Sequence, residues 1–264
     1  MHVIAIDWSG AADRVRNHLW LAEASQSGRL VRMEPVPGRS ALARGALELL
    51  RPEVVAVGLD FAFSLPAWFV EEVGANSAPE LWAHVERQGE AWLAACAAPF
   101  WGRPGRRRPV SDKPSFRRTE LAVPRTGGIG PKSVFQIGGA GAVGTGSIRG
   151  MPLLRQLHEA GATIWPFVRG ARPIVVEIYP RLLTGPVRKS VAAERQRLLA
   201  ERYPTLDAQH RDLAMASEDA FDAAVSALVM AEHVADLLAL PDEPDPQLRL
   251  EGRIWHPRWC LDKP

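Results

Sequence analysis

His2-Val3-Ile4-Ala5-Ile6-Asp7 is an apolar run that ends on a carboxylate, and the pattern returns twice. Val54-Val55-Ala56-Val57-Gly58-Leu59 leads into Asp60, and Ile174-Val175-Val176 leads into Glu177. Short continuous apolar runs of this kind read as strands at the centre of a sheet, buried on both faces. A carboxylate inside or just past such a strand is costly unless it is paired or binds a cation. The ends of parallel strands lie side by side, so acids far apart in the chain can meet at one edge. A further pair, Asp219 and Asp222, lies three residues apart on one face of a helix expected over 218–238, whose apolar stripe is Phe221, Val225, Leu228 and Ala235.

Between the first two acids the chain reads as a turn at Ser9-Gly10-Ala11-Ala12, then two strand-like runs at 18–24 and 30–36. Ser25-Gln26-Ser27-Gly28 separates them, as in a hairpin with a glycine-containing loop. Residues 41–50 have helical spacing, with Ser40 as a possible N-cap, so the chain begins β, β, β, α, β. Residues 67–98 look helical, 101–132 dissolve into Pro, Gly and Arg as a mobile loop, and 151–160 form a short helix. A strand follows at 174–179, and a last strand is expected within 248–255.

Oxygen ligands of this kind suit hard cations, Mg²⁺ or Mn²⁺. Two such ions about 3.5–4 Å apart stabilise the attacking and leaving oxygens of phosphoryl transfer. Each acid also has a bland reading, since a strand-end Asp caps turns and acids in a first helical turn complement the macrodipole. The loop adds Arg103, Arg106, Arg107, Arg108, Lys113, Arg117 and Arg118, with Trp101 and Phe116 among them. Such a segment either tracks a phosphate backbone and stacks bases or is a solvated loop. Lys132, Ser133 and Gln136 are in reach of an anionic substrate. Gly139-Ala140-Gly141-Ala142-Val143-Gly144 matches G-x-G-x-x-G but lacks the βαβ setting of a dinucleotide site, so it reads first as a flexible loop and second as a phosphate-contacting lid.

These motifs are familiar together. Asp7-Trp8-Ser9-Gly10, Leu59-Asp60-Phe61-Ala62-Phe63-Ser64-Leu65-Pro66, Pro131-Lys132-Ser133, Gln136-Ile137-Gly138-Gly139, Glu177-Ile178-Tyr179-Pro180 and Asp219-Ala220-Phe221-Asp222-Ala223 resemble the family named domain of unknown function 429, predicted nucleases with a ribonuclease H-like fold. The resemblance implies a mixed α/β sheet, three antiparallel strands and then parallel ones, flanked by helices. It implies one domain over 1–264 with an insertion at about 67–165. It also implies that Asp7 bridges the metals, that Asp60 follows the fourth strand, that Asp219 and Asp222 complete the set from the last helix, and that Glu177 lies on the fifth strand.

The expectation is therefore a nuclease that cuts DNA or RNA with Mg²⁺ or Mn²⁺. Asp7, Asp60, Asp219 and Asp222 ligate metal, and Glu177 ligates it or positions water. An actin-like or sugar-kinase-type phosphotransferase shares such a sheet, but 264 residues are short for two duplicated domains. A non-catalytic nucleic-acid binder is the third reading. The composition, 47% hydrophobic and 23% charged with net charge +2, is that of a soluble globular chain, so nucleic-acid affinity must come from local clustering. Cys96 and Cys260 lack metal-type spacing and read as reduced thiols of a cytoplasmic protein. No apolar stretch approaches a membrane span, and no secretory leader is expected.

Overall fold

The computed structural model describes residues 1–8, 19–38, 42 and 44–257. The turn expected at Ser9–Ala12, the Ser40 cap, the start of the expected helix at Ala41, and Cys260 lie outside the described residues.

Seven strands form one sheet: β1 His2–Asp7, β2 Trp20–Ser25, β3 Leu30–Pro35, β4 Val54–Leu59, β5 Ala162–Ile164, β6 Ala171–Ile178 and β7 Ile254–Trp255. Their order is β3-β2-β1-β4-β6-β5, with β7 also on β6. The β1–β2 and β2–β3 pairs are antiparallel, and the β1–β4, β4–β6, β5–β6 and β6–β7 pairs are parallel. This is the mixed, helix-flanked sheet expected from the sequence. Glu177 lies on the sixth strand in chain order rather than the fifth, because the short β5 precedes it.

Alternation along β1 assigns the two faces. Val3 and Ala5 pack with Phe221 and Val225 of α8 (Glu218–Glu232), named after the helices that follow. Ile4 and Ile6 pack on the other side with Leu81, Trp82 and Leu153. In chain order the helices preceding α8 are α1 Ala67–Glu72, α2 Ala78–Ala95, α3 Arg118–Ala122, α4 Gly144–Glu159, α5 Pro180–Thr184, α6 Ala192–Arg202 and α7 Ala208–Met215. After α8 come α9 Val234–Leu238 and α10 Pro246–Glu251, so the single helix expected over 218–238 breaks at His233. The first half of the stretch expected as a final strand belongs to α10, and only Ile254–Trp255 pairs with the sheet. The approach of α8 is close enough that a Cβ on Gly58 of β4 would meet Met230 Sδ at 2.6 Å.

Gly139–Val143 is a loop, with Gly139 and Gly141 at positive φ. It runs into α4, which is sixteen residues long. Gly144 must be glycine there, since a Cβ would lie 2.1 Å from the Val134 carbonyl oxygen. The Arg-rich loop is likewise tied down. Trp68 Nε1 donates to the Pro114 carbonyl at 2.8 Å, Arg108 stacks over Trp101 and Phe116, and Lys113 sits over Trp68.

Its main anchor is Arg117, 1% exposed. Nη1 and Nη2 donate to the two oxygens of Glu177 at 2.9 and 2.5 Å, and Nε donates to Glu120 at 3.0 Å. Nη1 also reaches the Glu251 carbonyl at 2.9 Å. Glu251 in turn accepts from the backbone N–H of Ala67 and of Arg118, which ties the insertion to α10. Stripping the arginine from this cluster would leave two buried carboxylates unpaired, a loss of about 3–5 kcal/mol for one broken pair.

Two carboxylates share one guanidinium here, so the group carries an excess negative charge away from water. Burial is the main reason that the Glu120 carboxyl is pushed up to about 7; Arg117 pulls it down, and Glu177 adds to the rise. Between the ordinary 4.5 and about 7 the folded chain keeps a proton that the unfolded chain has released, so this group makes stability fall as pH rises through that window. The loss is at most about 3 kcal/mol. Glu120→Gln should flatten the decline. Urea denaturation at pH 5 and pH 8 measures it, and equal declines in both proteins would refute the assignment.

Candidate carboxylate site

Asp7 and Asp60 are neighbours because β1 and β4 run in parallel register. Ile6 pairs with Leu59, and the N–H of Asp60 donates to the Ile6 carbonyl at 3.1 Å. Asp7 continues the alternation of Val3 and Ala5, so its side chain lies on the α8 side of the sheet. There it meets the first turns of α8. Ser217 caps that helix, its Oγ accepting from the N–H of Ala220 at 3.0 Å. Asp219 is in the first turn and half-buried; Asp222, one turn on, is 5% exposed. The N-terminal position favours negative charge at Asp219.

The four carboxyl groups feel one another. Burial first, then the charges of Asp60, Asp222 and Asp219, hold the Asp7 carboxyl well above its usual range, against some relief from Lys189. Asp60 is raised well above its usual range too, by burial and then by Asp222. Asp222 is pushed up to about 6, burial outweighing the pull of Lys189. Asp222 Oδ2 is paired with the Lys189 ammonium, while Oδ1 is buried with no hydrogen-bond partner among the described residues. Among the described residues, no three His, Cys, Asp or Glu side chains are placed to hold a metal ion as they stand.

Glu177 stands apart from Asp7 but shares a cavity with Asp60, whose carboxyl its charge helps to raise. It pairs across the sheet with Leu59, which neighbours Ile6, so the pleat turns its side chain to the face opposite Asp7. It is 3% exposed, with both oxygens on Arg117 and Oε2 also accepting from the N–H of Phe63 at 2.9 Å. Both oxygens are thus engaged with Arg117, while the residue also lines the cavity beside Asp60. Arg117, expected to hold a phosphate backbone, has its guanidinium spent inside the protein. Ser133 is buried, donating to the Ser115 carbonyl and accepting from the N–H of Phe135. Gln136 directs its amide nitrogen to the carbonyl oxygens of Gly138 and Ala140.

Lys132 does face open space. It lines a cavity of about 160 Å³ beside Asp60, with Trp8, Phe61, Tyr179 and the Val143–Gly146 start of α4. Arg103, Arg106 and Arg107 are exposed. Arg108, Lys113 and Arg118 are exposed but engaged, with Trp101, Glu72 and Asp245 respectively. At its start the loop is held by a bridge between Trp101 and Gln136. No helix among the described residues is long and apolar enough to cross a membrane.

Sequence reasoning missed Lys189 and Glu120. Lys189 stands in Gly185-Pro186-Val187-Arg188-Lys189-Ser190, where no motif marks it. Glu120 had a signal: Arg117 and Glu120 are three apart, the spacing of a helical ion pair.

Asp7 is raised when folded, so without divalent metal its charge makes stability fall as pH rises above the ordinary Asp range. In chelator at pH 8, Asp7→Asn should therefore melt above the wild type, by about 2 °C for each kcal/mol of repulsion relieved. The gap should close towards pH 4. A variant that melts lower at both pH values would show that the Asp7 charge is not under strain. Comparison with protein-family models, curated proteins and solved structures found no match for this chain.

Proposed function

We propose that the protein is a Mg²⁺- or Mn²⁺-dependent phosphodiesterase that cuts DNA or RNA, of the ribonuclease H-like type the sequence resembles, and that it works in the cytoplasm. The observation that carries this reading is the convergence of Asp7, Asp60, Asp219 and Asp222 where β1 and β4 end under α8. The donors are all oxygens, the preference of hard cations. The partnerless Asp222 Oδ1 and the strained carboxyls of Asp7 and Asp60 are what an acid set looks like before a cation offsets its charge. Bound there, a divalent ion would polarise a phosphoryl oxygen and activate water.

The residues around the acids have separate tasks. Lys132 reaches into the cavity next to Asp60, where it can neutralise a phosphate. The start of α4 borders the same cavity, and a helix N-terminus attracts anions. Glu177 and Arg117 act at a distance: by holding the N–H of Phe63 and the insertion, they fix the segment that carries Asp60. The exposed Arg103, Arg106 and Arg107 supply charge along the path of a nucleic-acid backbone.

A panel of single-stranded and structured DNA and RNA with Mg²⁺ or Mn²⁺ tests the activity. Asp7→Asn should lose more than about 100-fold in cleavage rate, beyond the 10–100-fold typical of groups that only support a ligand. Undiminished cleavage in that variant would end the reading. Replacing Arg103, Arg106 and Arg107 together by Ala should lower the salt slope of duplex binding by up to about 3, one for each lost phosphate contact. An unchanged slope would remove the loop from the interface.

A further inference from the structure

The cavity beside Asp60 is deeper than a contact to one phosphate requires. Its volume is about 160 Å³. A cavity of about 150 Å³ takes up benzene, so this one has room for a single flat ring and not for a stack of them. Three aromatic side chains wall it: Trp8, Phe61 and Tyr179. The first two are fixed in place. Trp8 Nε1 donates to the Gly146 carbonyl at 3.0 Å, and the Trp8 and Phe61 rings meet with their centroids 4.8 Å apart.

Charge decides what can enter. Asp60, Glu120 and Glu177 line the cavity against Arg117 and, at the exposed rim, Lys132. Arg117 is already taken up by the two glutamates. An anion inside would meet more carboxylate than cation, so a phosphate stops at Lys132 and the interior suits a neutral group. Polar atoms are nonetheless at hand. A carboxylate oxygen can accept more than one hydrogen bond, and the hydroxyl of the half-buried Tyr179 has no hydrogen-bond partner among the described residues. Aromatic walls with a donor and acceptors between them fit a flat, uncharged ring that carries N–H and C=O groups on its edge. A nucleobase is such a ring, with its phosphate one sugar away. Bases in a duplex are paired and stacked and must pay to leave, so the ring that enters belongs to an unpaired nucleotide.

We propose that the cavity beside Asp60 receives one unpaired nucleobase of a single strand, held among Trp8, Phe61 and Tyr179 while Lys132 takes a neighbouring phosphate. The proposal rests on reading the protein as a nucleic-acid phosphodiesterase, and the test keeps the two apart. Fluorescence anisotropy measures binding to the Asp7→Asn chain in Mg²⁺, so that no strand is cut. The probes are a short thymidine strand, a strand of the same length with no bases, and a duplex of that length. Ala142→Trp, added to this chain, fills the cavity from a half-buried position on its wall. It weakens binding of the thymidine strand at least about fivefold, the lower end of what one base stacked on an aromatic side chain contributes. Affinity for the abasic strand and for the duplex stays as it was. Tyr179→Ala, which removes part of the wall, gives the same pattern and decides the matter should Ala142→Trp not fold. Equal weakening of all three probes, or of none, overturns the base pocket and leaves the nucleic-acid reading standing. Failure of the Asp7→Asn chain to bind any of the three overturns both.

Discussion

Ile6 and Leu59 lie side by side in parallel strands, and the N–H of Asp60 closes onto the carbonyl of Ile6. Once that register is set, Asp7 and Asp60 cannot part. Each is the first residue beyond the last pair of the β1–β4 ladder, and Asp7 is held as well by its pairing with Trp20 of β2. The same register continues from Leu59 to Glu177 on β6. One row of paired residues therefore decides two matters at once: which acids are neighbours and which face each one takes.

The sheet separates its buried charges accordingly. On the α8 side, carboxylates meet with one lysine and remain under mutual repulsion. On the other side, Arg117 gathers Glu177 and Glu120 and satisfies most of their oxygens. The two clusters look alike in the sequence, as acids near basic residues, but they differ in what they lack. The Arg117 cluster has one guanidinium against two carboxylates, with all four oxygens hydrogen-bonded, and reads as an internal staple. The Asp7 cluster is short of positive charge, with carboxyls raised by mutual repulsion and one lysine against them.

The strands and their acids were legible because buried parallel strands leave an unbroken apolar signature that a terminal carboxylate interrupts. Asp7, Asp60 and Asp222 could be brought together from that pattern and from helical spacing alone. Glu177 shows where the pattern stops informing. A continuous apolar strand has no polar face, so alternation cannot say which side its acid takes, and only the register with Leu59 reveals it. Arg117 was lost in a run of arginines because composition treats all of them as equivalent, while burial singles out the one with carboxylates around it. Gly144 was misjudged for a related reason. A glycine required by close packing against the Val134 carbonyl looks, in sequence, like one that confers freedom.

The segment after β4 explains how the strained acids are tolerated. Ala62 donates its N–H to Ser147 Oγ, Phe63 donates to Glu177 and accepts from the Trp82 indole, and Ser64 donates to the Leu250 carbonyl. Each contact comes from a different element: α4, β6, α2 and α10. Asp60 cannot relieve its repulsion by moving the backbone, because the following residues are held from four directions. Relief must come through protonation, through the ammonium of Lys189, or through a bound cation. The folded chain thus accepts a local cost that its other contacts outweigh.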